Sequence, residues 1–98
     1  MNMQAMLKQA QKLQKDMMKV QDEIYAMTFE GKSSFVTVKV NGKKELLEVN
    51  IEADELDKDE VEMLQDMIVV ATNEAFKKVD KTTEDKLGPY TKGMPGLF

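Results

Sequence analysis

Four residue types that support much of protein chemistry are missing: among the 98 residues there is no cysteine, histidine, arginine or tryptophan. Without cysteine, neither a disulfide nor a thiolate metal site can form, which fits a reducing compartment. Without histidine, the commonest general base is lacking, and any metal site would need oxygen ligands only. We therefore expect no enzyme activity, no catalytic residues, no cofactor and no metal site.

Long apolar runs are also absent. The first 27 residues are interrupted by charged side chains, and no apolar stretch approaches the roughly 20 residues of a membrane-spanning helix. The five glycines stand at positions 31, 42, 88, 93 and 96, so there is no glycine-rich phosphate loop. These observations predict a cytoplasmic protein with no membrane contact and no small-molecule substrate.

Negative charge is concentrated in one segment. The chain has a net charge of −4, but residues 52–66 alone hold eight carboxylates and one lysine. Within this segment, Asp57 and Glu60 have the spacing of a capping box at the start of a helix. A calcium site is the competing interpretation, but the glycine and the final glutamate of an EF-hand loop are not in register. We interpret the segment as a helix start with a solvated face.

A long helix is predicted over residues 1–27, which contain no glycine or proline. Apolar residues recur there at alternating steps of three and four, the pattern of a coiled-coil seam. The seam positions are Met3, Met6, Ala10, Leu13, Met17, Val20, Ile24 and Met27. The seam is about 37 Å long, more than the remaining residues can easily cover. We therefore expect a second copy of the chain to pack against it.

Lysines form a second stripe on the same helix. They are Lys8, Lys12, Lys15 and Lys19. Each follows a seam position by two residues, which places the stripe about 200° around the helix from the seam. Such a stripe is either the solvated back of an amphipathic helix or a surface for a polyanion.

A β-hairpin is predicted within residues 28–52. Alternating apolar residues are Val36, Val38 and Val40 before the turn and Leu47, Val49 and Ile51 after it. Between them, Asn41-Gly42 is the sequence preferred in a two-residue type I′ turn. Such a turn would place Val36 opposite Leu47, with all six apolar residues on one face. It would also place Lys39 opposite Lys44.

A second helix is predicted over residues 57–87, with a wide apolar stripe that indicates burial on most sides. Gly88 and Pro89 form the usual termination signal, so residues 88–98 are expected to be a flexible tail. We find no internal repeat and no second domain. Residues 1–98 therefore form one domain with the order helix, strands, helix, tail.

Two function classes fit these elements. Nucleic-acid binding through the lysine stripe would rest on phosphate contacts, because lysine acts as a mobile point charge and arginine is absent. It would be sensitive to salt and weakly selective for sequence. The alternative is a helical protein-interaction scaffold that uses the coiled-coil seam to hold a partner helix. Charge reversal of the stripe discriminates between the two.

Four segments carry a resemblance to a known family. They are residues 7–15 (LKQAQKLQK), 36–42 (VTVKVNG), 63–79 (MLQDMIVVATNEAFKKV) and 91–98 (TKGMPGLF). In their order and spacing they resemble the YbaB/EbfC family of bacterial nucleoid-associated DNA-binding proteins, and the similarity covers nearly the whole chain. One departure is Gly88-Pro89, which interrupts the region where the last helix of the family tends to continue.

The resemblance implies an α+β fold with a long N-terminal helix, a small antiparallel three-stranded sheet and a long C-terminal helix, and the residues after position 87 add the expected flexible tail. It further implies an intertwined homodimer located at the nucleoid. The dimer would bind duplex DNA and affect nucleoid organisation or gene expression. Little sequence specificity is expected because lysines, without arginine, would make the contacts.

Site residues follow from matching this sequence to the family. The DNA-facing parts would be the first helix and the distal part of the last one, which supply Lys8, Lys12, Lys15, Lys19, Lys81, Lys86 and Lys92. The expected dimer interface includes Met6, Leu13, Met17, Val36, Val38, Ile68 and Phe76.

Overall fold

The computed structural model describes residues 2–91 and shows a helix, a three-stranded sheet and a second long helix. The elements are α1 (Met3–Tyr25), β1 (Thr28–Ser33), β2 (Val36–Asn41), β3 (Leu46–Ile51) and α2 (Val61–Thr91). The strands are antiparallel and adjacent in chain order, β1-β2-β3. The molecule is elongated, with extents of 72 × 21 × 14 Å. The predicted α+β arrangement is confirmed.

Helix α1 begins with a side-chain cap. The Oδ1 atom of Asn2 accepts hydrogen bonds from the backbone N–H groups of Gln4 and Ala5, at 3.1 and 3.4 Å. These bonds satisfy two of the amides that a helix leaves unpaired at its start. The helix ends at Tyr25, within the predicted range of residues 1–27.

The core lies between the sheet and α2, which packs across β1 and β2. Its buried members are Phe29, Val36, Val38, Val40, Ala71, Ala75 and Val79. The three valines of β2 have no exposed surface. Burial of each side chain stabilises the fold by about 1.5–3 kcal/mol. Within the sheet, β2 therefore supplies most of the apolar surface buried against α2.

The connection between β2 and β3 differs from the predicted two-residue turn. Val36 lies opposite Ile51, not Leu47, and Val38 lies opposite Val49. The turn is longer because the Asn41 side chain closes it: Oδ1 accepts from the backbone N–H groups of Lys43 and Glu45, each at 3.0 Å. An asparagine side chain that bonds the backbone two residues ahead forms an Asx-turn, which competes with the type I′ turn.

A β-bulge follows from this register. Val40 lies opposite Leu46 and Lys39 opposite Glu48, so Leu47 is an extra residue between them. The predicted pairing of Lys39 with Lys44 is therefore wrong. The Lys39 Nζ atom instead lies 3.6 Å from a carboxylate oxygen of Glu48 and 3.8 Å from one of Glu30. Opposite charges replace the like-charge pair on the outer face of the sheet.

The second helix starts later than predicted. Lys58–Glu60 is a 3-10 turn, and the α-helix begins at Val61 rather than at position 57. Asp57 precedes this turn without a side-chain capping bond, and its carbonyl oxygen accepts from the Glu60 N–H at 3.0 Å. The capping-box prediction is wrong because the tighter turn satisfies the Glu60 amide through the backbone.

The same helix also ends later, since α2 continues through Gly88 and Pro89 to Thr91. The predicted end at position 87 is wrong. Leu87 is buried and lines the same cleft as Ile24, which holds the last turns of α2 against α1. The fixed φ of proline is compatible with a helix, but Pro89 cannot donate the backbone hydrogen bond that its turn would otherwise make. Burial of Leu87 offsets this loss. Of the predicted tail, residues 92–98 lie outside the described part of the chain.

Candidate nucleic-acid interface

The lysine stripe of α1 is exposed and aligned. Lys8, Lys12, Lys15 and Lys19 are all exposed. At 100° per residue they fall within a sector of about 60°, and they extend roughly 16 Å along the helix axis. The predicted stripe is therefore one continuous face of a helix, opposite the seam.

Charge is unevenly distributed along this helix. Residues 2–15, which we call the distal segment, contain three lysines and no carboxylate. Residues 16–25, the proximal segment, contain Lys19 together with Asp16, Asp22 and Glu23. Unlike charges within a Debye length of about 8–10 Å offset one another. The positive potential of α1 is therefore greatest in its distal segment.

The distal segment also stands clear of the rest of the described chain. All of its residues except Leu13 are exposed. Burial increases toward the other end of the helix, where Ile24 is only 1% exposed. The lysines are thus carried on a helix that is held at its C-terminal end and accessible over its first half.

Such a face suits phosphate groups better than base edges. Lysine ammonium groups bind phosphates as point charges, whereas bidentate reading of guanine falls mainly to arginine. No aromatic residue precedes Tyr25 in the chain. Binding of single-stranded nucleic acid normally uses aromatic side chains on which unpaired bases stack. This face has no such side chain.

The lysine candidates on α2 do not form a second stripe. Lys81 and Lys86 are both exposed. Because they are five residues apart on a helix, they point about 140° away from each other. Asp80 stands directly before Lys81, and Glu84 and Asp85 stand between the two lysines. Lys92 lies outside the described residues. The structure thus brings together the α1 candidates but not those of α2.

The expected interface residues fall into two groups. Met6 is exposed, and Leu13, Met17, Ile68 and Phe76 are partly exposed. Val36 and Val38 have no exposed surface within a single chain. Since a fully buried side chain has no surface left to contact a second copy, these two valines stabilise the fold of the chain itself.

An apolar surface that the sequence analysis missed lies beside β3. The observed register places Leu46, Val49 and Ile51 on the same face of the sheet as the core valines. Helix α2 lies over β1 and β2, so Leu46 and Val49 stay exposed, at 47% and 38%. A correct hairpin register would have revealed this surface, because it decides which residues of β3 face α2.

One flank of α2 adds to this surface. The Lys44 Nζ atom, in the turn that precedes β3, lies 2.6 Å from an Asp80 carboxylate oxygen and 6.0 Å from the Phe76 ring centroid. These distances identify the flank of α2 that faces β3. Val69, seven residues before Phe76, lies on that flank and is 57% exposed. We call Leu46, Val49, Ile51, Val69 and Phe76 the β3 corner.

Residues 2–91 contain neither a candidate metal site nor a candidate membrane-spanning helix. No group of three or more acidic side chains in this part of the chain is arranged to hold a metal ion. Likewise, none of the described helices is long and apolar enough to cross a membrane.

Comparison with known proteins identifies relatives along the whole chain. A nucleoid-associated protein from Lactococcus lactis subsp. cremoris is 50% identical over 97% of this chain and 98% of its own length. One from Ligilactobacillus salivarius is 46% identical over 99% of this chain and 95% of its own length. One from Chloroflexus aurantiacus is 40% identical over the full length of both chains.

Comparison with a solved structure bears on the fold, and comparison with family models bears on the family. The crystal structure of the uncharacterized protein HP0035 from Helicobacter pylori has a similar fold, with a TM-score of 0.63 and 19% identity over 87% of this chain and 91% of that chain. The model of the YbaB/EbfC DNA-binding family matches residues 1–94. With this match and a relative that is 50% identical over nearly the whole chain, the chain belongs to the YbaB/EbfC DNA-binding family.

Proposed function

We propose that this protein is a nucleoid-associated protein that binds duplex DNA as a homodimer. The contacts are made by lysines of α1 to phosphate groups, with little sequence preference. Family membership supports DNA as the partner, and the names of the relatives support a location at the nucleoid. A cytoplasmic location is part of the proposal. A family of DNA-binding proteins also agrees with the expectation that the chain is not an enzyme.

The observation that carries the proposal is the distal segment of α1. It is exposed, contains Lys8, Lys12 and Lys15, and has no carboxylate. Neutralisation of phosphates by lysine releases condensed counterions from the duplex, and this release favours binding irrespective of sequence. Lys19 contributes less than the other three, because the carboxylates of the proximal segment surround it.

The homodimer is supported by the β3 corner. Its apolar side chains lie on one face of β3 and on the flank of α2 that faces β3, and β3 is a sheet edge with no strand partner on that side within residues 2–91. Exposed apolar surfaces commonly mark contact sites between proteins. A dimer formed here would carry two α1 helices, and two linked sites bind one duplex more tightly than a single site does.

Charge reversal tests the proposal. A variant with Lys8→Glu, Lys12→Glu and Lys15→Glu should show at least about tenfold weaker affinity for a fluorescent duplex at low salt. Its self-association, measured by sedimentation, should be unchanged because these residues lie on α1, outside the β3 corner. The matched control reverses the exposed lysines Lys32, Lys58 and Lys77 and carries the same net charge. Equally weakened binding in the two variants would contradict the assignment.

A protein-interaction scaffold is the second candidate function. It is favoured by the exposed apolar side chains Met3, Met6 and Leu7 at the start of α1. A partner helix could pack on this part of the seam, as amphipathic helices do in apolar grooves. The charge-reversal variant separates the two functions, since a scaffold that uses the seam would be unaffected by changes to the lysines.

A further inference from the structure

The turn between β2 and β3 is in direct contact with the end of α1. Gly42 is buried, and a β-carbon built on it would overlap the carbonyl oxygen of Ile24 and lie 2.9 Å from the Tyr25 Cα atom. Only glycine permits backbone to approach backbone this closely. The turn is therefore packed against the last residues of α1 through main-chain atoms.

The turn itself is held by a dense set of hydrogen bonds. Besides accepting from Lys43 and Glu45, the Asn41 side chain donates through Nδ2 to Glu45 Oε1 at 2.7 Å. The backbone adds bonds from Asn41 N to Glu45 O at 3.1 Å and from Lys44 N to Asn41 O at 3.0 Å. Lys44 adopts a φ of 62° to close the turn. A turn with this many internal bonds resists deformation.

Side chains connect the turn to both helices. The Lys43 Nζ atom lies 5.4 Å from the Tyr25 ring centroid, a cation–π distance, and the Tyr25 hydroxyl accepts from Gln21 Nε2 at 2.8 Å. Lys44 pairs with Asp80 of α2. The turn thus touches the proximal segment of α1 on one side and α2 on the other.

A change of angle at this junction would move the lysines of α1. Lys8 stands 17 positions before Tyr25, so it lies about 25 Å from the junction along the helix axis. A tilt of about 10° at the junction would move Lys8 by about 4 Å, more than the length of a charged hydrogen bond. Within the described chain the distal segment is almost wholly exposed and gives little further support.

We propose that the turn of residues 41–45 is a positioning site that fixes the direction of α1 relative to the sheet and α2. Gly42 and Tyr25 are its positioning residues. Given the proposed function, the turn thereby places Lys8, Lys12 and Lys15 for contact with DNA phosphates, although it does not itself touch them.

Distance measurement by pulsed electron paramagnetic resonance tests this proposal. Because the natural chain has no cysteine, Gln9→Cys and Asn73→Cys give two specific label sites on exposed positions of α1 and α2. Labelled chains are mixed with an excess of unlabelled chains, so that the measured distance is within one chain. Gly42→Ala should shift or broaden this distance and lower duplex affinity by about fivefold or more.

The structure offers a matched control. Apart from the adjacent backbone of α2 itself, a β-carbon on Gly88 would meet no atom within 4 Å, so Gly88→Ala is the same chemical change without an overlap and should alter neither distance nor affinity. Tyr25→Ala is a second test variant in case Gly42→Ala does not fold, because Tyr25 is only partly buried. It should broaden the distance distribution without a change of net charge.

The outcomes separate this proposal from the proposed function. An unchanged distance in a folded Gly42→Ala or Tyr25→Ala protein overturns the positioning site, whatever the DNA affinity. A changed distance with unchanged affinity also overturns the link to DNA binding, provided that the lysine charge reversal lowers affinity. If that charge reversal has no effect, the proposed function itself fails, and the distance measurement still decides whether the turn fixes α1.

Discussion

Gly31 of β1 lies directly against Ala71 of α2. A β-carbon on Gly31 would overlap the Ala71 carbonyl oxygen and lie 2.7 Å from the Ala75 nitrogen. Strand and helix therefore approach each other through backbone atoms, and the small side chains of Ala71 and Ala75, both fully buried, allow the close spacing. Lys78 reinforces the contact, because its Nζ atom donates to the Glu30 carbonyl oxygen at 2.7 Å.

Gly31→Ala should lower the free energy of unfolding. The added methyl group meets backbone that cannot rotate away. We therefore expect a decrease of about 3 kcal/mol, at the upper end of the range that is usual for overpacking. Urea denaturation followed by circular dichroism measures it. Gly88→Ala is the control and should leave stability unchanged or raise it by up to about 1 kcal/mol, since alanine favours a helix. Equal stability of both variants would contradict the close approach of strand and helix.

The carboxylates of the proximal segment should weaken DNA binding. Asp22→Asn with Glu23→Gln removes two negative charges beside the lysine sector and should raise duplex affinity at low salt by about twofold to tenfold. Fluorescence anisotropy measures the affinity. The control, Glu52→Gln with Glu55→Gln, removes the same charge from exposed positions of the acidic segment. An increase of equal size in the control would show that net charge, rather than proximity to α1, determines affinity.

Self-association should depend on the β3 corner. Val69→Asp introduces a charge into this surface and should weaken the dimer by about tenfold or more. Val70→Asp is a close control, because Val70 is 54% exposed against 57% for Val69 but points about 100° away around α2. Sedimentation velocity over a range of concentrations measures both. Weaker association of the Val70 variant alone would place the interface on the outer face of α2 instead of the flank that faces β3.

The elements of the fold were predictable because their signals are local and repeated. The alternation of Val36, Val38 and Val40 predicted the central strand, and the helical period before residue 27 predicted α1. The hairpin register was not predictable from Asn41-Gly42 alone. Two favourable turn structures competed there, and the Asn41 side chain, together with the close approach of Gly42 to α1, decided between them.

The end of α2 likewise could not be predicted from the local sequence alone. Gly88 and Pro89 are a valid local stop signal, but burial of Leu87 beside α1 is a tertiary contribution that outweighs it. For the candidate site, the helical spacing of Lys8, Lys12 and Lys15 was sufficient to predict an exposed stripe. The β3 corner could not be predicted, because its composition depends on the register and on how far α2 extends across the sheet.

The most direct test of the central claim is the salt dependence of duplex binding. Anisotropy titrations of two duplexes of unrelated sequence, repeated over a range of salt concentrations, give the slope of log affinity against log salt. We expect similar affinities for both duplexes and a steep slope. In a Lys8→Gln, Lys12→Gln, Lys15→Gln variant the slope should fall by about 0.9 for each phosphate that the protein no longer neutralises. An unchanged slope in this variant would contradict phosphate binding by the distal segment of α1.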